Sequence, residues 1–315
     1  MLLPSLPEPL TKDDPMHSFT SSALIFSVWA VVCTAACGET STDAATTNGA
    51  NEETSDNSSE SDVTPAVSFE FGDVEDAILS EFFSKSLDIF GVTIVATSET
   101  PDTKVLHAAH VMAEYLDNDE DGAVDDQAVI DSLVREKATL VMFATEEEAE
   151  RSGIFDADIP EDRGFQDLYG EETNQPNRFD AALEEVLHLI SHYGYERVYP
   201  ASLGTERPTR LTDAMDLARG GYFETVPTSY PDGSWYHYDD VTCDYRCMAV
   251  EYFYWALTTK LGAQSDTDRC ADIAIEWELC TPEALASGDP AIHAILEDAT
   301  LKLPTVLPDG SYRGN

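Results

Sequence analysis

Residues 117–126, which read DNDEDGAVDD, form an acidic loop between two segments of helical periodicity. Oxygen-bearing side chains stand at loop positions 1, 3, 5 and 9, and Gly122 stands at position 6. Calcium takes roughly six to eight oxygen ligands, and a glycine permits the sharp bend that wraps a loop around the ion. Without a counterion, the five Asp and one Glu in this loop repel one another. The stretch therefore predicts a helix-loop-helix calcium site.

The acidic loop resembles the calcium loops of EF-hands and of thrombospondin type 3 repeats, DxDxDGxxD. The resemblance implies calcium ligands from Asp117, Asp119, Asp121, Ala123, Asp125 and Asp126. Position 12, where an EF-hand places a bidentate Glu, is Ala128. Asp126 or Asp131 can substitute there, or water can complete the coordination. The alternative is an acidic turn between two helices that holds no ion.

Strands and helices are both expected around this loop. The pattern predicts strands over 66–71, 92–96 and 139–143, and helices over 74–90, 103–116 and 127–134. Residues 153–176 are rich in Gly, Pro, Asp and Asn and predict a long loop or an insertion. Further helices are expected over 179–193, 209–219, 245–261, 268–278 and 282–297. Early strands and a mainly helical C-terminal half predict an α+β fold.

The first 36 residues have the features of a signal peptide. Residues 23–32 (ALIFSVWAVV) form an apolar run too short to span a bilayer, and small residues precede Cys37. This ending resembles a bacterial lipobox, although Thr34 stands where Leu is usual. The resemblance implies a lipid anchor at Cys37 in the cell envelope, with plain secretion as the alternative. Residues 37–64 predict a disordered acidic tether, followed by one folded domain over 65–315.

The net charge limits the possible partners of the protein, and the cysteine content predicts its disulfides. A net charge of −44 excludes nucleic acid as a partner, because phosphate binding needs clustered Lys and Arg. Four cysteines in an exported domain predict two disulfides, with three possible pairings: Cys243, Cys247, Cys270 and Cys280. A zinc cluster is the alternative, although no CxxC spacing is present.

The segment FDAALEEVLHLISHY, residues 179–193, predicts a helix with a metal-binding ridge. Two carboxylates and two imidazoles fall within an arc of about 100°, opposite the apolar face; they are Glu184, Glu185, His188 and His192. Glu184 and His192 lie about 12 Å apart along the axis. One ion can therefore join Glu184 with His188, or His188 with His192.

The first of these pairs resembles the HExxH helix of zincin metallopeptidases, with Glu184 in place of the first histidine. The resemblance implies zinc, and it implies that Glu185 is the general base that deprotonates a metal-bound water. A gluzincin-like site would take its third ligand from a carboxylate on a later helix. Glu251 is the candidate and Asp216 the alternative. The competing interpretation is a half-exposed helix whose histidines bond to acids.

Two other groups of residues are candidates for a functional site. His107 and His110 can be ligands, or ordinary histidines on the surface and in the core of a helix. The run WYHYDD, residues 235–240, can line a substrate cleft or support a transition state through His237 or a tyrosine. The alternative for that run is an aromatic structural loop. The chain contains no GxSxG elbow, P-loop or Gly-rich dinucleotide fingerprint.

Two functions follow from these features. The first is an exported, calcium-stabilised, zinc-dependent hydrolase of the peptidase type, acting on an unidentified peptide or glycan. The second is a non-catalytic calcium-binding surface protein that binds a glycan or a protein partner.

Overall fold

A computed structural model describes residues 67–157, 159–160 and 163–314. The signal peptide, the lipidated Cys37 and the tether predicted for 1–64 lie outside the described residues. Within the described ranges, no helix is long and apolar enough to cross a membrane.

Four short strands form one mixed sheet in the order β1-β2-β3-β4. They are β1 Lys85–Ile89, β2 Val92–Ala96, β3 Thr139–Phe143 and β4 Phe165–Tyr169. β1 and β2 are antiparallel, whereas β2, β3 and β4 run parallel. The β1–β2 hairpin turns through Phe90 and Gly91, both with positive φ (53° and 88°). Such a two-residue turn matches the twist of the flanking strands.

The helix predicted over 74–90 is wrong. A 3₁₀ turn, Leu79–Glu81, is followed directly by β1. The residues of β1 have apolar side chains at alternate positions, and pairing with β2 outweighs the helical spacing further upstream. The strand predicted over 66–71 is also absent from residues 67–71, and the next residue, Gly72, forms an isolated bridge to Ser86.

The two faces of the sheet pack against different elements because strand side chains alternate. Ile94, Leu140 and Leu168 belong to the large core that includes α1 (Asp102–Leu116) and the helical half. Val95, Val141 and Phe143 face a smaller cluster with Leu79, Phe83, Ala149 and Ile154. Ala149 lies on α3, Glu146–Ser152, and Ile154 begins a 3₁₀ turn. Neither α3 nor β4 was expected; β4 lies inside the predicted long loop.

The C-terminal half is helical, so the α+β prediction is confirmed. Its helices are α4 Ala182–Ile190, α5 Glu196–Val198, α6 Pro200–Leu203, α7 Arg210–Ala218, α8 Tyr245–Lys260, α9 Thr267–Ile273, α10 Pro282–Gly288 and α11 Pro290–Leu296. A π-helical turn, Ser191–Tyr195, links α4 to α5, and α2 (Gln127–Arg135) lies earlier, after the acidic loop. The single helix predicted over 282–297 is interrupted, because Pro290 has no N–H to continue it. Asp289 caps α11 instead, accepting from Ile292 N at 3.1 Å.

The four cysteines of the domain form two disulfides, as predicted. Cys243 pairs with Cys247 at the start of α8, and Cys270 on α9 pairs with Cys280. The zinc-cluster alternative for these cysteines is therefore wrong. Disulfides are compatible with an extracellular location.

Candidate functional site

The polar face of α4 is buried, and so is its apolar face. Every residue from Ala182 to Ile190 is buried, since α1, β4 and α8 all contact this helix. Glu184, Glu185 and His188 are only 4 %, 5 % and 4 % exposed. The half-exposure expected by the competing interpretation is therefore wrong, whereas His188 and His192 do lie next to acids, as it expected. Buried carboxylates need partners, because leaving an isolated charge out of water costs several kcal/mol or more.

Glu184 and His188 on α4 meet Glu251 on α8, and these three residues are called the buried cluster below. Each offers a ligand atom, and the three atoms lie within 4.8 Å of one another. Nε2 of His188 is 3.5 Å from Oε2 of Glu251. Among the described residues, no donor stands in hydrogen-bonding geometry to Glu251 Oε2. The four-residue spacing on α4 and the crossing of α8 thus bring together one imidazole and two carboxylates.

Glu185 lies against the other nitrogen of the imidazole. Its Oε2 is 3.4 Å from Nδ1 of His188. Gln166 on β4 donates to the same oxygen at 2.5 Å. The carboxylate of Glu185 therefore faces the Nδ1 side of the ring, while Glu251 faces the Nε2 side.

Burial and mutual repulsion shift the protonation of this region. Burial, together with the charges of Glu185 and Glu251, raises the pKa of Glu184 well above its usual value. Burial also raises the pKa of Glu185 to about 7, against the lowering effect of His188. Burial lowers the pKa of His188, but Glu251 and Glu185 outweigh it, and the net pKa is raised well above normal. In the metal-free protein, protons thus hold much of the compensating charge.

The aromatic segment 235–240 lies against this region. The hydroxyl of Tyr236 donates to Met248 O on α8 at 2.7 Å. Tyr238 is buried, and its hydroxyl has no hydrogen-bond partner among the described residues. His237 points elsewhere, with Nε2 2.9 Å from Ser234 O. Tyr236 and Tyr238, from the segment predicted to line a cleft, therefore lie on the side of the buried cluster, whereas His237 points away from it.

An acidic rim connects this segment to the surface. Glu276 is partly exposed and Asp239 is exposed. Burial, followed by the charges of Asp239 and Glu251, raises the pKa of Glu276 to about 7. Negative charge thus extends from the buried Glu251 to solvent.

Several residues considered as ligands lie away from the buried cluster. His192 Nδ1 is 3.0 Å from Glu196 Oε2, and Asp216 is bound by Tyr245 (3.0 Å) and Arg207 (3.1 Å). His107 Nε2 lies 2.5 Å from Asp180 Oδ2. His110 stacks on Phe69 with ring centroids 3.9 Å apart. His107 and His110 therefore have structural roles, which was the alternative to their being metal ligands.

The acidic loop brings together the first three of its aspartates. Ligand oxygens of Asp117, Asp119 and Asp121 lie within 4.8 Å of one another, with Asp117 buried and the other two exposed. Backbone N–H groups of Asp121 and Gly122 donate to Asp117 at 3.2 and 2.9 Å. Gly122 adopts φ 90°, which a glycine tolerates and which turns the chain back on itself.

Asp125 and Asp126 have other partners in this structure. Asp125 accepts from Asn118 N at 2.8 Å. Burial, and the charges of Asp119, Asp117 and Asp121, raise the pKa of Asp125.

Asp126 caps α2 by accepting from Ala128 N at 3.0 Å, and the hydroxyl of Tyr199 donates to it. Asp131, the other candidate for position 12, accepts from Gln127 at 2.9 Å. The backbone of Ala123 donates to Asp121 at 2.9 Å.

The C-terminal segment, residues 303–314, encloses the acidic loop. Asn118 accepts from Thr305 N and Val306 N, both at 2.8 Å, and donates to Val306 O at 2.9 Å. The hydroxyl of Tyr312 donates to Asp117, and Arg313 N donates to Glu120 at 2.9 Å. Hydrogen bonds therefore hold the acidic loop and residues 303–314 together.

Gln166 and Glu276 carry no signal in the sequence that marks them as site residues, and no local pattern distinguishes Tyr238. Gln166 lies on the unexpected strand β4, so no local pattern associates it with Glu185. Tyr238 belongs to a run that was noticed, but only the packing on α8 distinguishes it from its neighbours. Comparison of the chain with protein-family models, curated proteins and solved structures found no match.

Proposed function

We propose that the protein is a zinc-dependent hydrolase of the peptidase type whose ion is held by Glu184, His188 and Glu251. The observation that carries this proposal is the approach of three buried ligand atoms, from two helices, to within 4.8 Å of one another. Imidazole with carboxylate is a ligand set that suits zinc, whereas calcium and magnesium prefer oxygen ligands alone. Three protein ligands also leave a fourth position for water or substrate, as in catalytic zinc sites.

Charge balance supports a cation at this place. Three carboxylates and one imidazole are buried together, each at most 5 % exposed. Burial and the neighbouring carboxylates raise the pKa of Glu184 and so favour its protonated form. A divalent cation supplies the same compensation without protonating the ligands, and metal binding would therefore release protons.

Glu185, which the zincin resemblance makes a general base, lies where it can also orient His188. Its carboxylate faces Nδ1 of His188, and Gln166 holds the same oxygen. A carboxylate on the far nitrogen of a metal-binding histidine fixes the ring orientation and raises its basicity. We therefore assign Glu185 the role of orienting His188.

Substitution of Glu185 by Gln separates the two roles. Loss of an orienting carboxylate should weaken zinc binding by about 10- to 100-fold. Loss of a general base alone would leave zinc affinity unchanged and abolish activity, because an amide cannot accept the proton of water. Zinc titration with a competing chelator measures the difference, and an unchanged affinity would restore the general-base role.

Hydrolysis is tested with a fluorogenic peptide library, the purified domain and zinc. We expect cleavage that requires zinc, stops on chelation, and is absent in His188→Ala. The same zinc-dependent cleavage in His188→Ala would assign it to another site or a contaminant. Stoichiometric zinc binding without cleavage of any peptide would reduce the proposal to a metal-binding protein.

The second candidate is a non-catalytic calcium-binding surface protein, and the burial of the cluster favours it. Glu251 is 4 % exposed, and side chains enclosed to that degree can serve structure alone. We propose calcium at the acidic loop under both candidates, with Asp117, Asp119 and Asp121 as its first ligands. The first candidate predicts a transition metal in the buried cluster as well as calcium, whereas the second predicts calcium only and a glycan or protein partner.

We further propose export, with a lipid anchor at Cys37. The apolar run 23–32, the residues before Cys37 and the two disulfides support it. Mass spectrometry of the envelope-fraction protein should find a lipidated N-terminal Cys37. An unmodified mature N-terminus in the medium would show secretion without an anchor.

A further inference from the structure

The hydroxyl of Tyr238 is a buried donor without an acceptor. Tyr238 is 2 % exposed, and no described residue forms a hydrogen bond with its hydroxyl. Buried tyrosine hydroxyls usually find a partner, because an unsatisfied polar group loses its bonds to water without replacement. A group that binds next to Tyr238 would remove this cost.

The backbone directs Tyr238 toward the helix that carries Glu251. Segment 235–238 pairs locally with 276–278, through His237 N to Glu276 O at 2.7 Å and Glu278 N to Trp235 O at 3.1 Å. In extended chain, side chains two residues apart share a face. Tyr236 reaches Met248 O, three residues before Glu251 on α8. Tyr238 therefore projects from the same face of the segment as Tyr236.

Burial and the neighbouring charges keep the phenol of Tyr238 protonated. Burial, followed by the charges of Glu251, Tyr236, Glu276 and Glu184, raises the pKa of the phenol far above its usual value. Two of these four neighbours belong to the buried cluster. The backbone is also held, because Tyr230 donates its hydroxyl to Tyr238 O at 2.6 Å. A neutral phenol thus presents its O–H on the face of the segment that packs on α8, where it can donate to an incoming acceptor.

We propose that Tyr238 donates a hydrogen bond to the acyl oxygen of a ligand bound at the buried cluster. This inference rests on the proposed function, and it makes acyl compounds the class that the site takes, because their oxygen gains negative charge when water adds to the carbonyl carbon. A donor already in place favours such an oxygen without reorganisation during binding.

The test uses the cobalt(II)-loaded protein and acetohydroxamate, an acyl ligand that binds metals through oxygen. Visible absorption of cobalt follows the titration. A hydrogen bond to a charged oxygen accounts for about a 10- to 100-fold difference in affinity, so Tyr238→Phe should raise the Kd by that factor. Tyr236→Phe is the matched control: it removes a buried hydroxyl two residues away whose partner is Met248 O, and it should leave the Kd unchanged.

The outcomes separate this inference from the function on which it rests. Wild-type protein that binds no cobalt contradicts the proposed function before any hydroxamate is added. Cobalt binding in all three proteins, with the same hydroxamate Kd in wild type and Tyr238→Phe, overturns the inference alone. Copper(II) loading provides a second measurement: a phenolate-to-copper absorption band that disappears in Tyr238→Phe would make Tyr238 a metal ligand and also overturn it.

Discussion

The acidic loop and the buried cluster both concentrate carboxylates, but they compensate the charge in different ways. In the loop, backbone N–H groups donate to Asp117, Asp119 and Asp121, and two of these side chains remain in contact with water. In the cluster, Glu184 is fully enclosed beside Tyr254, and no described donor is aligned with Glu251 Oε2. In the loop, backbone amides and water compensate the carboxylate charge, whereas in the cluster that compensation depends on protons or an ion.

This difference shows which region should respond more strongly to loss of its ion. Water and backbone amides can screen the aspartates of the loop, so an empty loop loses part of its order but no large electrostatic energy. Carboxylates in the protein interior are screened much less. We therefore expect the buried cluster to dominate the dependence of stability on pH and on transition metals, and the loop to account for the effect of calcium.

The largest expected effect is the loss of zinc binding in His188→Ala. Removal of one of three ligands should weaken zinc affinity by more than about 100-fold, since even outer-shell changes cost about 10- to 100-fold. His192→Ala is the matched control on the same stretch of helix, because His192 contacts Glu196 instead. Competition with a chelator measures both variants. Equal losses in the two variants would contradict the assignment of ligands.

The next effect concerns Glu184→Gln in the presence of EDTA. The folded-state pKa of Glu184 is raised, so the unfolded state releases its proton first as the pH increases. The free energy of unfolding contributed by this group therefore falls from about pH 4.5 upward. The amide cannot ionise, and we expect the variant to be more stable than wild type at pH 7 by about 1 to 3 kcal/mol.

Denaturant unfolding at several pH values checks this prediction. Asp180 and Glu196, whose pKa values are lowered, add stability with rising pH, but they are common to both proteins and cancel in the difference. Glu283→Gln, an exposed change, is the control and should have no effect. A Glu184→Gln variant that is less stable at every pH would indicate a stabilising ion pair with His188.

An effect of comparable size on stability is expected from calcium. A ligand that binds only the native state at 100 times its Kd adds about 2.7 kcal/mol. Calcium should raise the Tm of wild type but not that of a variant with both Asp117→Ala and Asp121→Ala. Asp131→Ala should keep the response, since Asp131 bonds to Gln127. A calcium response retained in the double variant would remove the acidic loop as the site.

The smallest expected effect follows from Asn118→Ala. This change removes the hydrogen bonds to Thr305 and Val306 that hold the C-terminal segment on the loop. Asn118 is partly exposed and its partners are exposed, so we expect a loss of about 1 to 2 kcal/mol. Hydrogen exchange should become faster in residues 303–314. Unchanged exchange there would show that the loop and the segment are independent.

The features that could be predicted from the sequence were local ones. The ridge on α4, the acidic loop and the choice of Glu251 all follow from spacing or from polar residues amid apolar neighbours. Asp126 also carries a local signal for its role as a cap, since an Asp directly before a helix is a common N-cap.

What could not be predicted depends on contacts between distant segments. The burial of the polar face of α4 is caused by β4 and α8, and nothing in α4 itself reveals it. The pairing of Gln166 with Glu185 requires β4, which has too short an alternation to stand out from its loop-rich surroundings. β1 was predicted as helix because pairing with β2, not its own periodicity, determines its conformation.

The central claim is that the buried cluster holds a transition metal, and elemental analysis of the purified wild-type domain tests it most directly. The protein is loaded with zinc, dialysed against buffer containing only calcium, and measured together with His188→Ala. We expect about one equivalent of zinc in wild type and none in the variant. Absence of zinc, iron and manganese from wild type, with no stabilisation on adding zinc, would contradict the account.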